Sequence, residues 1–417
     1  MASFRNEQEY VYFRYFQDET SKNLGGFFED RLWLQIIPQA CHNELVLRDL
    51  TISISALILA NNSQESGSLH REYAYKSYAK SIRNIQNTLN TRHERDAIRI
   101  ALISSILICC FENFQGDHEI ATKHMESSLK LMRKRFLTGK KYTFSLIQPQ
   151  SEIPHMEHDL LSAFIRIDNS LMSRPGVETV SRASMLDIQY GSEDFDIPSK
   201  FNNIREARNY LEHLQYTAMP VLSTFAEAPI EISVLDCLVD TTQSSEYDRI
   251  RKTVSAQLQS WHRAFKPLID SELAQTPIAT SPASTKARLL RSHALATEIA
   301  VNRARIICST IPAEDFVSQC WEIVELCKLV IEEPGFIRGF VWDCGVVTPL
   351  FMVIASCDDR EVRKEAVKIL RTTVPRREFL WDAAVVAEFG EGRLNSQVCR
   401  DKHSSPQGIF SLAETHV

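Results

Sequence analysis

Along nearly every long segment of this chain, apolar residues recur at alternating intervals of three and four, the period of an α-helix with one buried face. In HREYAYKSYAKSIRNIQNTLN, Tyr75, Tyr78, Ile82, Ile85 and Leu89 share such a face. The stretch AIRIALISSILICCF, residues 97–111, is apolar nearly all round and belongs at the centre of a bundle. After the turn FQGD, Ala121, Met125, Leu129, Met132 and Phe136 make the next stripe. The pattern returns at 153–174, 201–227, 245–273, 285–309, 313–333, 346–357, 359–373 and 378–390. Short Val/Ile runs lack the alternation and turn signals of a sheet. The expected fold is all-α, with stacked helical hairpins forming one large bundle or irregular solenoid.

Composition supports the same class. Glycine is scarce, 13 of 417 residues, about half the usual ~7%, which disfavours glycine-rich phosphate loops. Pro- and Ser/Thr-rich punctuation falls at 137–154, 172–200 and 273–285. The expected organisation is one helical region over 1–395, with sub-units 1–140 and 153–395, and a flexible tail over 396–417. AYKSYAKSIRNI and ATKHMESSLKLM align at an offset of 47 residues, but two copies do not make an array.

The ten cysteines sit mostly inside apolar helical patterns such as LICCF and CWEIVELC, and no C-x2-C pair occurs. They read as buried reduced thiols of a cytosolic or nuclear protein rather than as a zinc or disulfide scaffold. The start, MASFRNEQEYVYFRYF, mixes polar and aromatic residues and carries no secretory signal. No uncharged apolar run reaches the ~18 residues of a membrane span, so none is expected. A net charge of −6 argues against a broad basic surface for nucleic acid.

Three stretches invite a chemical reading. CDDREVRKEA, residues 357–366, could begin an acidic magnesium site, but Val362 stands one turn beyond Asp358 and Arg360 opposes a cation. A helix start fits better, with Asp358 as cap and Asp359 and Glu361 at the positive end of the helix dipole. HMEHD sets His155 and His158 at i and i+3 without a third ligand and reads as a partly exposed pair near a helix start. RKRFLTGKK, residues 133–141, is either a nuclear-import patch or the cationic end of an amphipathic helix. No nucleophile elbow, P-loop or dinucleotide fingerprint occurs, and neither cofactor nor metal is expected.

The segment FVWDCGVVTPLFMVIASCDDREVRKEAVKILRTTVPRREFLWDA, 340–383, resembles the close of the fungal-specific transcription factor domain, the helical regulatory region found behind a zinc binuclear cluster. Asp343, Gly345, Pro349, Leu350, Cys357, Asp359, Arg363, Ala366, Pro375, Arg376, Arg377, Glu378 and Trp381 stand in the family's places. Lys364 replaces an arginine, and Phe379 stands where glycine is common. YFRYFQDETSKNLGGFFEDRLW, 12–33, is similar to the opening of that region, with Phe27, Phe28 and Trp33 as aromatic anchors. FENFQGDHEIATKHMESSLKLM, 111–132, resembles its hairpin, with Gln115, Gly116 and His124 at the family's offsets.

The resemblance implies a transcription-regulator-like protein, not an enzyme, whose singled-out residues are architectural. Pro349 is expected in the first turn of a helix, Trp33 and Trp381 as packing anchors, and Glu378 as partner of Arg363 or Arg377 or as part of a solvated charge run. The six cysteines that read DNA ahead of the family's region are expected to be lacking, so direct specific DNA binding and membrane association are not expected. The implied partners are proteins, namely a transcription factor, a co-regulator or a second copy as a homodimer, or a small-molecule effector. The implied location is the nucleus, with the cytoplasm as alternative, and the implied targets are genes of metabolism, secondary metabolism included. A helical scaffold without a transcriptional role and an enzyme of a secondary-metabolite pathway remain open.

Overall fold

The computed structural model describes residues 4–28, 31–62, 67–132, 155–172, 195–219, 241–274, 282–308 and 316–403. Among them the fold is all-α, with three two-residue strands, Phe340–Val341, Arg377–Glu378 and Trp381–Asp382. The helices cluster into two compact units: residues 1–228 with 340–343, and residues 229–339 with 344–417.

The first unit is built around Leu45–Asn62, whose residues from Val46 to Leu57 are all buried. Periodicity leaves this helix unassigned because it is apolar nearly all round and shows no face. Its two charges are paired within the fold. Asp49 accepts from Arg5 at 2.9 and 3.0 Å, while Arg48 donates to the Cys41 and His42 carbonyls that end Ile37–Asn43. Glu94–Gln115 buries Ile100, Leu102, Ile103, Ile106, Leu107 and 108–111, the central place expected of it. By length and composition Leu45–Asn62 and Asp96–Gln115 could each cross a membrane, although both include charged residues. Most of each window is buried inside the fold, as in core helices of soluble domains.

Gly67–Asn90 corrects the face expected of it. Tyr75 and Ile82 are exposed, and the buried positions are Ala74 and Ser81. The helix packs on Leu45–Asn62, where small residues let backbones approach, and the large side chains flank that seam. His118–Met132 buries Ala121, Met125 and Leu129 as expected. Phe136 and the basic run 133–141 lie outside the described residues. Two further helices belong to this unit, His155–Met172 and Ile204–Thr217, the second capped by Asn203 on the Glu206 amide at 2.9 Å. The continuation expected to 227 falls outside the described residues from 220 onward.

The second unit packs Thr241–Ala274, Pro282–Cys308, Val317–Ile331, Val347–Ser356, Arg360–Thr373 and Ala383–His403. The last helix starts later than the expected 378, because Arg377–Glu378 and Trp381–Asp382 pair as an antiparallel hairpin. The turn between them puts Phe379 at φ 55°, a left-handed conformation that glycine adopts without steric cost. This is a physical reason for the glycine common at this place. The helix Ala383–His403 continues past 395, and residues 404–417 lie outside the described residues, as do most of the three punctuating segments.

Candidate functional site

Phe28, Trp33, Asp343, Gly345, Pro349, Glu378 and Trp381 lie in or beside two interior charge clusters, one in each unit. In the first, Ser21–Gly25 ends where Gly26 turns to φ 59°. The Leu24 carbonyl there accepts the Trp342 amide at 2.9 Å. Trp342 lies edge-on to Trp33, 5.7 Å between centroids. Next to it, Asp343 accepts from Arg208 at 2.7 Å, and that guanidinium lies 4.0 Å over the Phe28 ring. Arg208 and Arg166 both donate to Glu212, at 2.5 and 2.9 Å. Burial would push the Glu212 carboxyl up, but the two guanidiniums outweigh it and hold the group below the usual carboxylate range. At Asp343 burial prevails over Arg208, and the carboxyl is raised. The difference follows from partners: Glu212 meets two cations directly, and its own charge opposes that of Asp343.

The second cluster is built around the start of Val347–Ser356. This helix opens C-G-V-V-T-P, with no side chain of its own capping the free amides. Glu378, fully buried, supplies that cap from the hairpin. Its carboxylate accepts the amides of Gly345, Val346 and Val347 at 2.7, 2.8 and 2.9 Å. Arg376 balances the charge at 3.0 Å, reaches the Ile337 carbonyl and lies 4.7 Å over the Phe336 ring. Gly345 is obligatory, since a Cβ there would sit 2.2 Å from Glu378 Oε1. Pro349 occupies the first turn as expected, where its missing N–H is one of the orphans anyway. Trp381 packs on Phe351, 4.9 Å between centroids.

Three expectations need correction. Glu378 pairs with Arg376; Arg377 turns instead to Asp382 at 2.8 Å, and Arg363 donates to the Asp358 carbonyl at 3.3 Å. Glu378 is also not part of a solvated charge run. The cap of Arg360–Thr373 is Asp359, which accepts the Glu361 and Val362 amides at 2.8 and 3.1 Å, and not Asp358. A cap must immediately precede the first helical residue, and composition alone left the two aspartates indistinguishable.

Not every singled-out residue joins a cluster. Gly116 ends Glu94–Gln115 at φ 99°, with its amide and that of Asp117 both on the Glu112 carbonyl at 2.9 Å. Gln115 beside it is exposed. His124 is half-buried in the second turn of His118–Met132, and its carbonyl accepts from Ser128. Phe27 is half-buried. His155 and His158 begin a helix, but their side chains lie outside the described set. The sequence reading missed Arg208, Glu212 and Arg166. Their signal is weak: Arg208 and Glu212 sit at i and i+4, a spacing most surface pairs share.

Chemically, the first cluster joins Arg166, Arg208, Glu212 and Asp343 in a chain of ion pairs, and the second is the single pair Arg376–Glu378. The Glu378 oxygens accept three amides and a guanidinium, which leaves them committed to holding the helix start. No group of three or more His, Cys, Asp or Glu side chains able to hold a metal ion gathers among the described residues.

Among the described residues, the fold and these clusters define an all-α helical domain braced internally by buried ion pairs. A family model for the fungal specific transcription factor domain matches residues 11–388, and the chain belongs to that family. Comparisons with characterised proteins and with solved structures give no significant match.

Proposed function

We propose that this chain acts as a transcription regulator in the nucleus through protein partners or a small effector, this sequence holding no DNA-reading cluster itself. The family match over residues 11–388 carries this reading. Asp343, Gly345, Glu378 and Trp381, which stand in the family's places, lie in the interiors of the two helical units, which supports this reading. The sequence contains no C-x2-C pair, and its acidic residues outnumber its basic ones, 53 to 47. Base-specific recognition requires phosphate neutralisation and a shaped reading element, and on this proposal a partner supplies both. The controlled genes are those of metabolism, secondary metabolism included.

The test is a fusion of the chain to a foreign DNA-binding module in a reporter strain. Transcription should rise or fall at least several-fold relative to the module alone. A silent fusion that is folded and nuclear would reject a regulatory role and favour a scaffold.

A further inference from the structure

Val317–Ile331 turns Cys320, Ile323, Val324, Cys327 and Val330 into the second unit. Its other face leaves Trp321 36% and Leu329 39% exposed, with Glu325 exposed between them at four residues from each. The chain's other four tryptophans, Trp33, Trp261, Trp342 and Trp381, are at most 6% exposed. Among the described residues, the Trp321 ring meets no other ring or cation, and the Glu325 carboxylate makes no ion pair. Glu322 beside them is already held by Arg291, at 2.7 and 3.2 Å. Lys328 shares this exposed face, and Glu332 beyond it offsets its charge.

We propose that Trp321 and Glu325 form the docking point for an arginine of a partner protein, with Leu329 receiving an apolar residue beside it. Residues at i and i+4 stand ~5–6 Å apart at Cβ on a helix surface, so one guanidinium can lie on the indole face and still donate to the carboxylate. The interior of this chain shows what fills such a set. Arg208 lies 4.0 Å over the Phe28 ring while it donates to Asp343 and Glu212. Arg376 lies 4.7 Å over the Phe336 ring while it donates to Glu378. Trp321 and Glu325 offer the same two parts at the surface, open to a guanidinium from another chain.

Arginine is favoured over lysine because its planar, weakly hydrated fork stacks on a ring without giving up its N–H donors. Tryptophan and arginine are also the residues that most often carry the binding energy of protein interfaces. Leu329 extends the row by one turn, which calls for an apolar residue about one turn from the arginine. The contact is independent of the regulatory reading: the reporter fusion tests transcription, and the measurement below tests only this surface.

The probe is a fluorescein-labelled helical peptide of alanine and glutamine that carries arginine and leucine four residues apart, read by anisotropy against the full-length protein. Trp321→Ala and Glu325→Gln should each weaken its binding at least about tenfold, and lysine in place of the arginine should weaken it too. Both side chains are exposed, so neither variant should disturb the fold, which far-UV circular dichroism checks. Iodide should quench one of the five tryptophans in the free protein, and saturating unlabelled peptide should protect it. No binding of the arginine peptide would overturn the proposal, as would equal binding to the wild type and both variants or equally tight binding of the lysine peptide. Protection of Trp321 from iodide in concentrated protein without peptide would also overturn it, because the occupant would then be a second copy.

Discussion

Trp381 is only 3% exposed, and its indole N–H finds no hydrogen-bond partner. Its contribution is therefore packing against Phe351. Trp381→Ala should cost about 3–5 kcal/mol, as core aromatic truncations do. Trp381→Phe should cost clearly less, because it also removes an unsatisfied donor. Chemical denaturation of the two variants side by side checks the order. His213 offers a pH reading. Burial draws its imidazole from 6.5 down to about 4, and it meets the Phe195 ring edge-on at 4.4 Å. Between those values the unfolded chain binds more protons, so this contribution is complete above pH 6.5 and is lost as pH falls toward 4. The difference amounts to about 3 kcal/mol, at ~1.4 kcal/mol per unit. His213→Leu should flatten the stability profile in that window, measured as denaturation midpoints at several pH values.

At the scale of single elements, helix ends decide much of what the motifs mean. Arg360–Thr373 was legible from its 3.6-residue pattern, with Val362, Ala366, Ile369 and Leu370 all buried. Its cap was not, because Asp358 and Asp359 are equivalent until the backbone places the first helical amide. Asp359→Ala should destabilise by ~0.5–2 kcal/mol, whereas Asp358→Ala should stay within about 0.5 kcal/mol; thermal unfolding of both separates them. Val347–Ser356 is the contrary case. Its cap comes from Glu378, 31 residues beyond Val347 in sequence, where no local pattern could announce it. Glu378→Gln turns a buried acceptor of three amides into a group carrying its own donors and leaves Arg376 unbalanced. A loss of about 3–5 kcal/mol is expected from breaking such a pair, read from the same denaturation curves.

For the whole molecule, the balance of 47 basic against 53 acidic residues bears on partners rather than fold. The isolated protein should show no sequence-specific DNA binding at physiological salt, and at most a weak association that fades as salt rises. Fluorescence anisotropy over a salt series tests this, and tight, salt-tolerant binding to one site would refute it. Fold class was readable at this scale because helical periodicity is a local property that repeats along most long segments. Family membership was readable because Asp343, Gly345, Glu378 and Trp381 stand at set distances in the chain. Their roles were not readable. Gly345 is needed because Glu378 Oε1 would lie 2.2 Å from a Cβ, and Asp343 meets Arg208 across 135 residues. Sequence by itself determined where most helices form, since backbone propensity and apolar spacing act within a few residues, but not the all-round apolar Leu45–Asn62, which shows no face. Only tertiary structure decided which charge meets which, because an ion pair is a matter of distance in space, and burial makes that distance costly to get wrong.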